Sequence, residues 1–257
     1  MGDGVWEGLR LHKRALLFLD AHLDRLYAGA AAIRIDVGLT RAEMVAALRE
    51  LLEANGMTDG AHLRLMVTRG RKASINQDPR NALGRATIAV TAEYKASVPG
   101  PGLKLATVAT RTTGPEMFDM RLNSHSRLNL IRALLEAIDL GADEALMLDP
   151  HGNIASCNAT NFFWVKAGRV FTSGDTYCFN GITRGNVIAA NAVEQGDFTL
   201  GHLAGAEEAF VTGTMGGITP VREIDGHVLG INGPLTSRIA QTYAAMKDAD
   251  AAAHPLV

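Results

Sequence analysis

The sequence contains few of the residues that mark a secreted or membrane protein. Only two cysteines, Cys157 and Cys178, occur in 257 residues; they could form one disulfide bond, but so few thiols are more typical of the reducing cytosol. Nowhere do roughly eighteen apolar residues follow one another, as a membrane-spanning helix requires. The first twenty residues lack an apolar run with a small-residue cleavage site, so no signal peptide is expected. These features predict a cytoplasmic protein.

The sequence also lacks a strong excess of either charge. Its formal net charge is −2, which gives no electrostatic reason to expect a nucleic acid or a membrane surface as partner. We interpret no group of residues as a metal site.

Helical and strand patterns are both present along the chain. Hydrophobic residues make up 47% and charged residues 20%, as in ordinary globular proteins, and the length allows two domains with real cores. We predict an α/β protein with a small N-terminal α+β domain over 1–92, a Pro- and Gly-rich linker over 93–103, a large α/β domain over 104–246 and a tail over 247–257.

Several elements are predicted in more detail. Thr40 and Glu43 match a capping box at the start of a helix. A strand is expected over 104–112, and a helix from Thr183 to Gly196. The helix predicted over 127–139 is expected to turn four apolar residues inward, namely Leu128, Ile131, Leu135 and Ile138.

Two segments have the pattern of an anion-binding site. The residues from Gly181 to Arg184 lie where a loop becomes a helix, so unpaired amides and the helix dipole would face an anion. The residues from Thr212 to Gly217 follow a strand and offer hydroxyl groups and accessible backbone amides. Taken alone, each signal is weak, and a capped helix and a tight turn are the more common explanations of the two segments.

Taken together, the motifs resemble those of the class IV aminotransferase family, the pyridoxal-phosphate fold type IV. That family includes branched-chain and D-amino-acid aminotransferases and aminodeoxychorismate lyase. The resemblance extends from Gly2 to about Tyr243 and rests on GDGVWEGLR at 2–10, HLDRLYAGA at 22–30, TRG at 68–70, GADEALMLD at 141–149, NGITR at 180–184, EEAFVTGT at 207–214, PV at 220–221 and IDG at 224–226.

The resemblance implies a cradle for the phosphate of pyridoxal phosphate. Arg25 corresponds to the phosphate-binding arginine of the family. Ile182 and Thr183 would contribute backbone amides and a hydroxyl, and Gly213 with Thr214 would complete the cradle. The resemblance also implies a homodimer.

The lysine that holds the cofactor in the family is missing. In relatives it stands thirteen residues before the glutamate of an EA pair, which here is Glu136, and that spacing leads to Asn123. A shifted register leads to Arg121 or Arg127, and no lysine occurs between Lys104 and Lys166. An amide nitrogen is not a nucleophile, and arginine stays protonated because its pKa exceeds about 12, so neither replaces a lysine amine.

A second departure affects the ring of the cofactor. The family places an acidic residue against the pyridine nitrogen, five residues before the asparagine that here is Asn161, and this chain has Ser156 there. A hydroxyl cannot keep the ring nitrogen protonated as a carboxylate does. The positions where some D-amino-acid enzymes bind substrate carboxylates carry Ser74 and Asn76, so substrate preference does not transfer.

The candidate catalytic residues are therefore Asn123, His125, Arg127 and Cys157. His125 is a candidate general base, and Cys157 a candidate nucleophile if His125 reaches it. The alternative is that Cys157 is a small buried apolar residue and His125 a structural one. Trp6, in the aromatic position that borders the pocket in the family, is interpreted as a packing residue.

Three functional hypotheses follow. The favoured one is a divergent enzyme that acts on a small amino or keto acid without a lysine Schiff base, with pyridoxal phosphate bound non-covalently or no cofactor at all. The second is a conventional branched-chain or D-amino-acid aminotransferase whose lysine lies elsewhere or was altered. The third is a non-catalytic subunit that binds pyridoxal phosphate or pairs with an active partner.

Overall fold

The computed structural model of the chain describes residues 2–95, 100–231 and 233–257. The chain forms two units, the first made of residues 1–96, 122–127 and 246–257 and the second of residues 97–121 and 128–245. Both contain helices and strands, so the predicted α/β class is confirmed. No helix in the described part of the chain is both long and apolar enough to cross a membrane.

The first unit is built on a four-stranded antiparallel sheet in the order β2-β1-β3-β4. Its elements are β1 (Gly4–His12), β2 (Ala15–Leu16), α1 (Leu19–Ala32), α2 (Arg41–Ala54), β3 (Ala61–Thr68) and β4 (Thr87–Tyr94), with a 3₁₀ turn at Pro79–Asn81.

The core of this unit lies on one face of its sheet. Successive side chains of a strand point to opposite faces, so every second residue of β1 and β3 is buried there. Val5 and Leu9 of β1 and Leu65 of β3 are buried in one cluster with apolar residues of α1 and α2. The predicted capping box is also confirmed: the Thr40 hydroxyl accepts from the Glu43 amide at 3.2 Å, and the Glu43 carboxylate accepts from the Thr40 amide at 2.7 Å.

The second unit contains a mixed nine-stranded sheet in the order β10-β9-β8-β11-β12-β5-β6-β7, with β13 paired to β12. Its elements are β5 (Leu103–Thr107), α3 (Leu128–Asp139), β6 (Glu144–Leu148), β7 (Ile154–Cys157), β8 (Asn161–Lys166), β9 (Arg169–Ser173), α4 (Ile182–Ala190), β10 (Val193–Gly196), a 3₁₀ turn at Leu200–Leu203, β11 (Glu208–Gly213), β12 (Gly217–Ile224), β13 (His227–Val228) and α5 (Pro234–Ala253), whose last residues belong to the first unit.

Two predicted elements of this unit are shorter than expected. The strand predicted over 104–112 ends at Thr107, because the Glu136 carboxylate then accepts from the amides of Ala109 and Thr110 at 2.8 and 3.1 Å and turns the chain. The helix predicted to reach Gly196 ends at Ala190, since β10 pairs in parallel with β9.

Helix α3 buries a different face from the one predicted. Its buried residues are Leu130, Ala133 and Ala137, which pack with apolar side chains of β5 and β6. The four residues expected to face inward are exposed, at 77%, 54%, 57% and 56% for Leu128, Ile131, Leu135 and Ile138. Small alanines allow the helix to approach the sheet closely, so the larger side chains form a stripe on the opposite face.

The predicted linker and tail also differ from the structure. Glu93 and Tyr94 belong to β4 and Leu103 to β5, while residues 96–99 of the predicted linker lie outside the described residues. The C-terminal residues are held in the first unit, where the amide of Leu256 donates to the Arg14 carbonyl at 2.8 Å and its carbonyl accepts from Arg49 at 2.9 Å. Residues 122–127, predicted in the large domain, belong to the first unit as well.

Candidate functional site

A buried carboxylate, Glu7, organises the candidate residues of the first unit. The alternation of β1 turns Glu7 towards α1, where His22 and Arg25 lie three positions apart and therefore on one helical face. Arg25 donates to the two carboxylate oxygens through Nε and Nη2 at 2.8 and 2.6 Å, and His22 Nδ1 lies 2.6 Å from Oε2. Glu7 is fully buried, so these contacts take the place of water.

The partners of Glu7 keep it ionised. Burial by itself raises the pKa of the Glu7 carboxyl, but hydrogen bonds from Arg25 and His22 and the charges of both outweigh it. The net pKa of Glu7 lies below its ordinary value. A phosphate group near Arg25 would thus meet a guanidinium whose charge is already shared with Glu7.

The segment 122–127 runs beside β1 and delivers Asn123 to this network. The Trp6 amide donates to the Asn123 carbonyl at 2.9 Å, and the His125 amide donates to the Gly4 carbonyl at 3.0 Å. The Asn123 side chain is 4% exposed; its Nδ2 donates to Glu7 Oε1 at 3.3 Å, and its Oδ1 accepts from Arg127 Nη2. Both ends of the amide are therefore engaged.

Arg127 is the most strongly perturbed cation of this network. Its Nε donates to the Ser124 carbonyl at 3.0 Å. Burial first, and then the charges of Arg25 and Arg64, lower the pKa of Arg127 to about 10, although Glu7 opposes the shift. The guanidinium still carries its charge at neutral pH.

His125 is partly buried and is influenced by positively charged side chains. Burial first, then the charges of Arg64 and Arg127, lower the pKa of His125 despite a hydrogen bond with the Val5 backbone. Its Nε2 is buried and has no hydrogen-bond partner among the described residues. The ring lines a cavity of about 410 Å³ together with residues 2–3, 68–70 and 72–75 of the same unit. At neutral pH His125 is thus a neutral imidazole, and its Nε2 makes no hydrogen bond to the described residues.

The second unit contains the start of α4 that was predicted to face a phosphate. Gly181 is the N-cap and has no side-chain capping bond, with Ile182 and Thr183 in the first turn. A Cβ at Gly181 would lie 2.3 Å from Asn161 Oδ1, so glycine permits the close approach. The Thr183 hydroxyl is buried and lies 3.2 Å from the Tyr243 hydroxyl.

The second predicted phosphate segment follows β11. Gly213 ends that strand opposite Gly217 of β12, so Thr214 lies in the connecting turn. The adjacent Thr212 hydroxyl is buried without a partner among the described residues. An unpaired hydroxyl beside a turn of this kind fits a polar ligand.

Ser156 and Cys157, also in the second unit, have the contacts of structural residues. The Ser156 hydroxyl donates to the Thr160 carbonyl at 2.9 Å. Cys157 is 3% exposed and packs in an apolar cluster, where burial first and the charge of Glu144 second raise the pKa of its thiol well above the usual range. Both features disfavour a nucleophilic thiolate.

The residues therefore fit one part of pyridoxal phosphate and not another. The start of α4 and the turn after β11 suit a phosphate group. At the positions predicted from the family spacing for the lysine and for the acidic residue, Asn123 has no amine and Ser156 has no carboxylate. Among the described residues, no group of histidine, cysteine, aspartate and glutamate could hold a metal ion.

The sequence analysis did not identify Glu7 or His22 as site residues. A signal was present, because the alternation Val5, Glu7, Leu9 places a carboxylate on the apolar face of a strand. A buried carboxylate requires a cation or hydrogen-bond donors, and HLDR at 22–25 offers a histidine and an arginine at helical spacing.

Comparison with known proteins places the chain in a family. Residues 4–224 match the model of the family described as Amino-transferase class IV. The chain belongs to the class IV aminotransferase family. The resemblance inferred from the motifs is thus confirmed.

Similar proteins include aminotransferases and aminotransferase-like proteins. The branched-chain-amino-acid aminotransferase-like protein 2 of Arabidopsis thaliana is 38% identical over 256 residues, which cover 96% of this chain and 46% of that protein. The chain spans about half the length of the first curated relatives that it matches, 46% and 45%.

Two solved structures extend the comparison. The branched-chain aminotransferase from Thermoproteus uzoniensis with norvaline has a TM-score of 0.89 at 31% identity, covering 98% of this chain and 89% of that one. The branched-chain amino acid aminotransferase from Escherichia coli has a TM-score of 0.85 at 26% identity, covering 96% of this chain and 85% of that one. The fold is therefore that of class IV aminotransferases.

The surroundings of Cys157 predict an unreactive thiol. Burial raises the pKa of both Cys157 and Cys178, so we expect the native protein to react with Ellman's reagent at least about tenfold more slowly than the same protein in denaturant. Cys178→Ala isolates Cys157. Fast labelling of this variant under native conditions would restore Cys157 as a candidate nucleophile.

The Glu7 network predicts a specific dependence of stability on pH. Because the folded pKa of Glu7 is below its ordinary value of 4.5, its stabilising effect is complete above that pH and is lost as the pH falls through the folded pKa. Glu7→Gln is expected to lower the free energy of unfolding at pH 7 by roughly 3 kcal/mol, and the difference from wild type should shrink on acidification.

Denaturant unfolding at several pH values measures this difference. Glu50→Gln, on the exposed face of α2, is the matched control and should follow wild type throughout. A difference between Glu7→Gln and wild type that stays constant down to the acid limit would contradict an ionised Glu7.

Proposed function

We propose that this chain is an enzyme of the class IV aminotransferase family that acts on a small amino or keto acid without a covalent bond between a lysine and a cofactor. The observation that supports it is the environment of Asn123. Both ends of its amide are hydrogen bonded, to Glu7 and Arg127. In this place the family chemistry would require a free amine.

The neighbouring cation does not replace that amine. Arg127 has a pKa of about 10, so at neutral pH it is a guanidinium and not a nucleophile. Its bonds to Asn123 and Ser124 make it a positioning residue. Transamination through a lysine is therefore not the proposed reaction.

His125 is the residue proposed to move a proton. Its lowered pKa leaves the imidazole neutral at pH 7, and Nε2 has no partner among the described residues. A bound acid in the adjoining cavity would place a C–H or N–H bond near Nε2, which would accept the proton and return it.

Pyridoxal phosphate is proposed as a ligand that binds without a covalent bond. The start of α4, with Ile182 and Thr183, and the turn at Gly213 and Thr214 would hold its phosphate. The family resemblance also assigns a phosphate-binding role to Arg25. When bound, the cofactor supplies an acceptor for electrons released at the substrate. A cofactor-free reaction with His125 alone is the alternative.

A non-catalytic subunit is the second candidate function. It is supported by the network around Glu7, whose partners are all supplied by the chain itself, and by the exposed apolar stripe of α3. We propose that this stripe contacts a second copy of the chain in a homodimer. Two free cysteines agree with the predicted cytoplasmic location.

Restoring the amine tests the proposal. Wild-type protein mixed with pyridoxal phosphate and treated with borohydride should show no mass increase, whereas Asn123→Lys should gain one reduced cofactor group by intact mass spectrometry. Arg121→Lys is the matched control, since Arg121 is exposed and paired with Asp119. A cofactor covalently attached to the wild-type chain would contradict the proposal and would support conventional transamination instead.

The α3 stripe gives a separate test of the homodimer. Light scattering coupled to size exclusion should give twice the mass of one chain for wild type and one chain for Ile131→Glu/Leu135→Glu, because two buried charges at an apolar contact cost several kcal/mol. Arg132→Gln, on an exposed neighbouring position, should remain a dimer. A wild-type monomer at high concentration would contradict the proposed pairing.

A further inference from the structure

Two buried hydroxyl groups meet beside an apolar cluster of the second unit. The cluster contains Phe210 of β11, Val187 of α4 and Ile239 of α5. Thr183 precedes Val187 by four positions and Tyr243 follows Ile239 by four, so each hydroxyl residue shares a helix face with its apolar neighbour. The hydroxyls of Thr183 and Tyr243 lie 3.2 Å apart. Helix α5 therefore contacts the first turn of α4 through a polar group.

Thr212 provides an independent sign of a ligand at the start of α4. It stands opposite Asn161 of β8 in the antiparallel register, and side chains of such a pair lie on the same face of the sheet. On that face the Asn161 amide oxygen lies beside the N-cap, where a Cβ added to Gly181 would collide with it. Thr212 is 1% exposed, and its hydroxyl has no partner among the described residues. Since buried polar atoms are normally satisfied, Thr212 indicates a polar ligand here.

The contact with Tyr243 determines what the Thr183 hydroxyl can offer such a ligand. A hydroxyl has one hydrogen to donate and can also accept. A phenol, with a pKa of about 10, is a stronger donor than an aliphatic alcohol, so we expect Tyr243 to donate to Thr183. The hydrogen of Thr183 is then left for an acceptor at the helix start, where the dipole of α4 favours an anion.

Gly217 allows the ring of Tyr243 to occupy this position. It begins β12 with a φ of +64°, in the left-handed region that favours glycine. A Cβ at Gly217 would lie 3.3 Å from the Tyr243 ring, so the ring packs closely on the turn after β11. Tyr243 is only 5% exposed. Packing therefore holds the ring, and removal of its hydroxyl alone should leave the ring in place.

We infer that Tyr243 is a positioning residue of the phosphate site at the start of α4. Its hydroxyl orients Thr183 so that the Thr183 hydroxyl donates to a bound phosphate, while its ring, packed on Gly217, connects α4 to the turn after β11. The inference deepens the proposed function, and it rests on that function for the placement of a phosphate at α4. Tyr243 acts through Thr183 and touches no reacting atom.

Calorimetric titration of the full chain with pyridoxamine 5′-phosphate and with pyridoxamine tests this role. Neither probe has an aldehyde, so neither needs a lysine for attachment. Tyr243→Phe should weaken binding of the phosphorylated probe about three- to tenfold, as expected for one hydrogen bond, and should leave pyridoxamine binding unchanged. A general loss of structure would weaken both. Tyr27→Phe is the matched control, because the Tyr27 hydroxyl also donates a hydrogen bond, to the Leu39 carbonyl at 2.8 Å; it should bind both probes as wild type does.

The effect of Tyr243→Phe should also require Thr183. In a Thr183→Val background the same change should alter the affinity for pyridoxamine 5′-phosphate less than about twofold, because the contact is already lost. Thr183→Ala replaces Thr183→Val if circular dichroism shows that the latter is not folded.

Several results would overturn the inference. These are no binding of pyridoxamine 5′-phosphate by wild type, unchanged or tighter binding by Tyr243→Phe, an equal loss of pyridoxamine binding, an equal loss in Tyr27→Phe, and a full further loss in the Thr183→Val background. The borohydride experiment instead tests attachment of an aldehyde at position 123, so the inference and the proposed function can fail separately.

Discussion

The candidate site depends on one buried carboxylate. Glu7 has no contact with solvent, and an ionised carboxylate in such a place is stable only if cations and hydrogen-bond donors surround it. Arg25 and His22 from α1 and Asn123 from the segment 122–127 meet this requirement. The carboxylate thereby links a strand, a helix and a segment more than a hundred positions away.

We propose that Asn123 occupies the position of the family's lysine, and this assignment would change what the arrangement can do. A lysine at position 123 would present an amine beside an anionic Glu7 and a cationic Arg127. Asparagine instead has one donor side and one acceptor side, and the donor faces Glu7 while the acceptor faces Arg127. The site is electrostatically consistent with a neutral residue here, since neither end of the Asn123 amide is left unpaired.

Membership in the class IV aminotransferase family establishes the fold, whereas the chemistry of individual side chains bears on the reaction. The family match and the structural similarity cover almost the whole chain. They define the fold and the lineage, but function resides in particular side chains. Arg64 and Arg127 place positive charge over the ring of Trp6, and this feature belongs to the residues of this chain.

Local patterns and ordered motifs were enough to establish the family, the α/β class, the capping box at Thr40 and the absence of a lysine at position 123. The buried face of α3 required the packed fold, because Leu128 and Ala133 mark two apolar faces and the sheet accepts the one with smaller side chains. The packed fold was also needed to show that Cys157 lies in a core and that Glu7 joins Arg25 to Asn123. Burial and pairing between distant residues set these outcomes, and neither is encoded in local spacing.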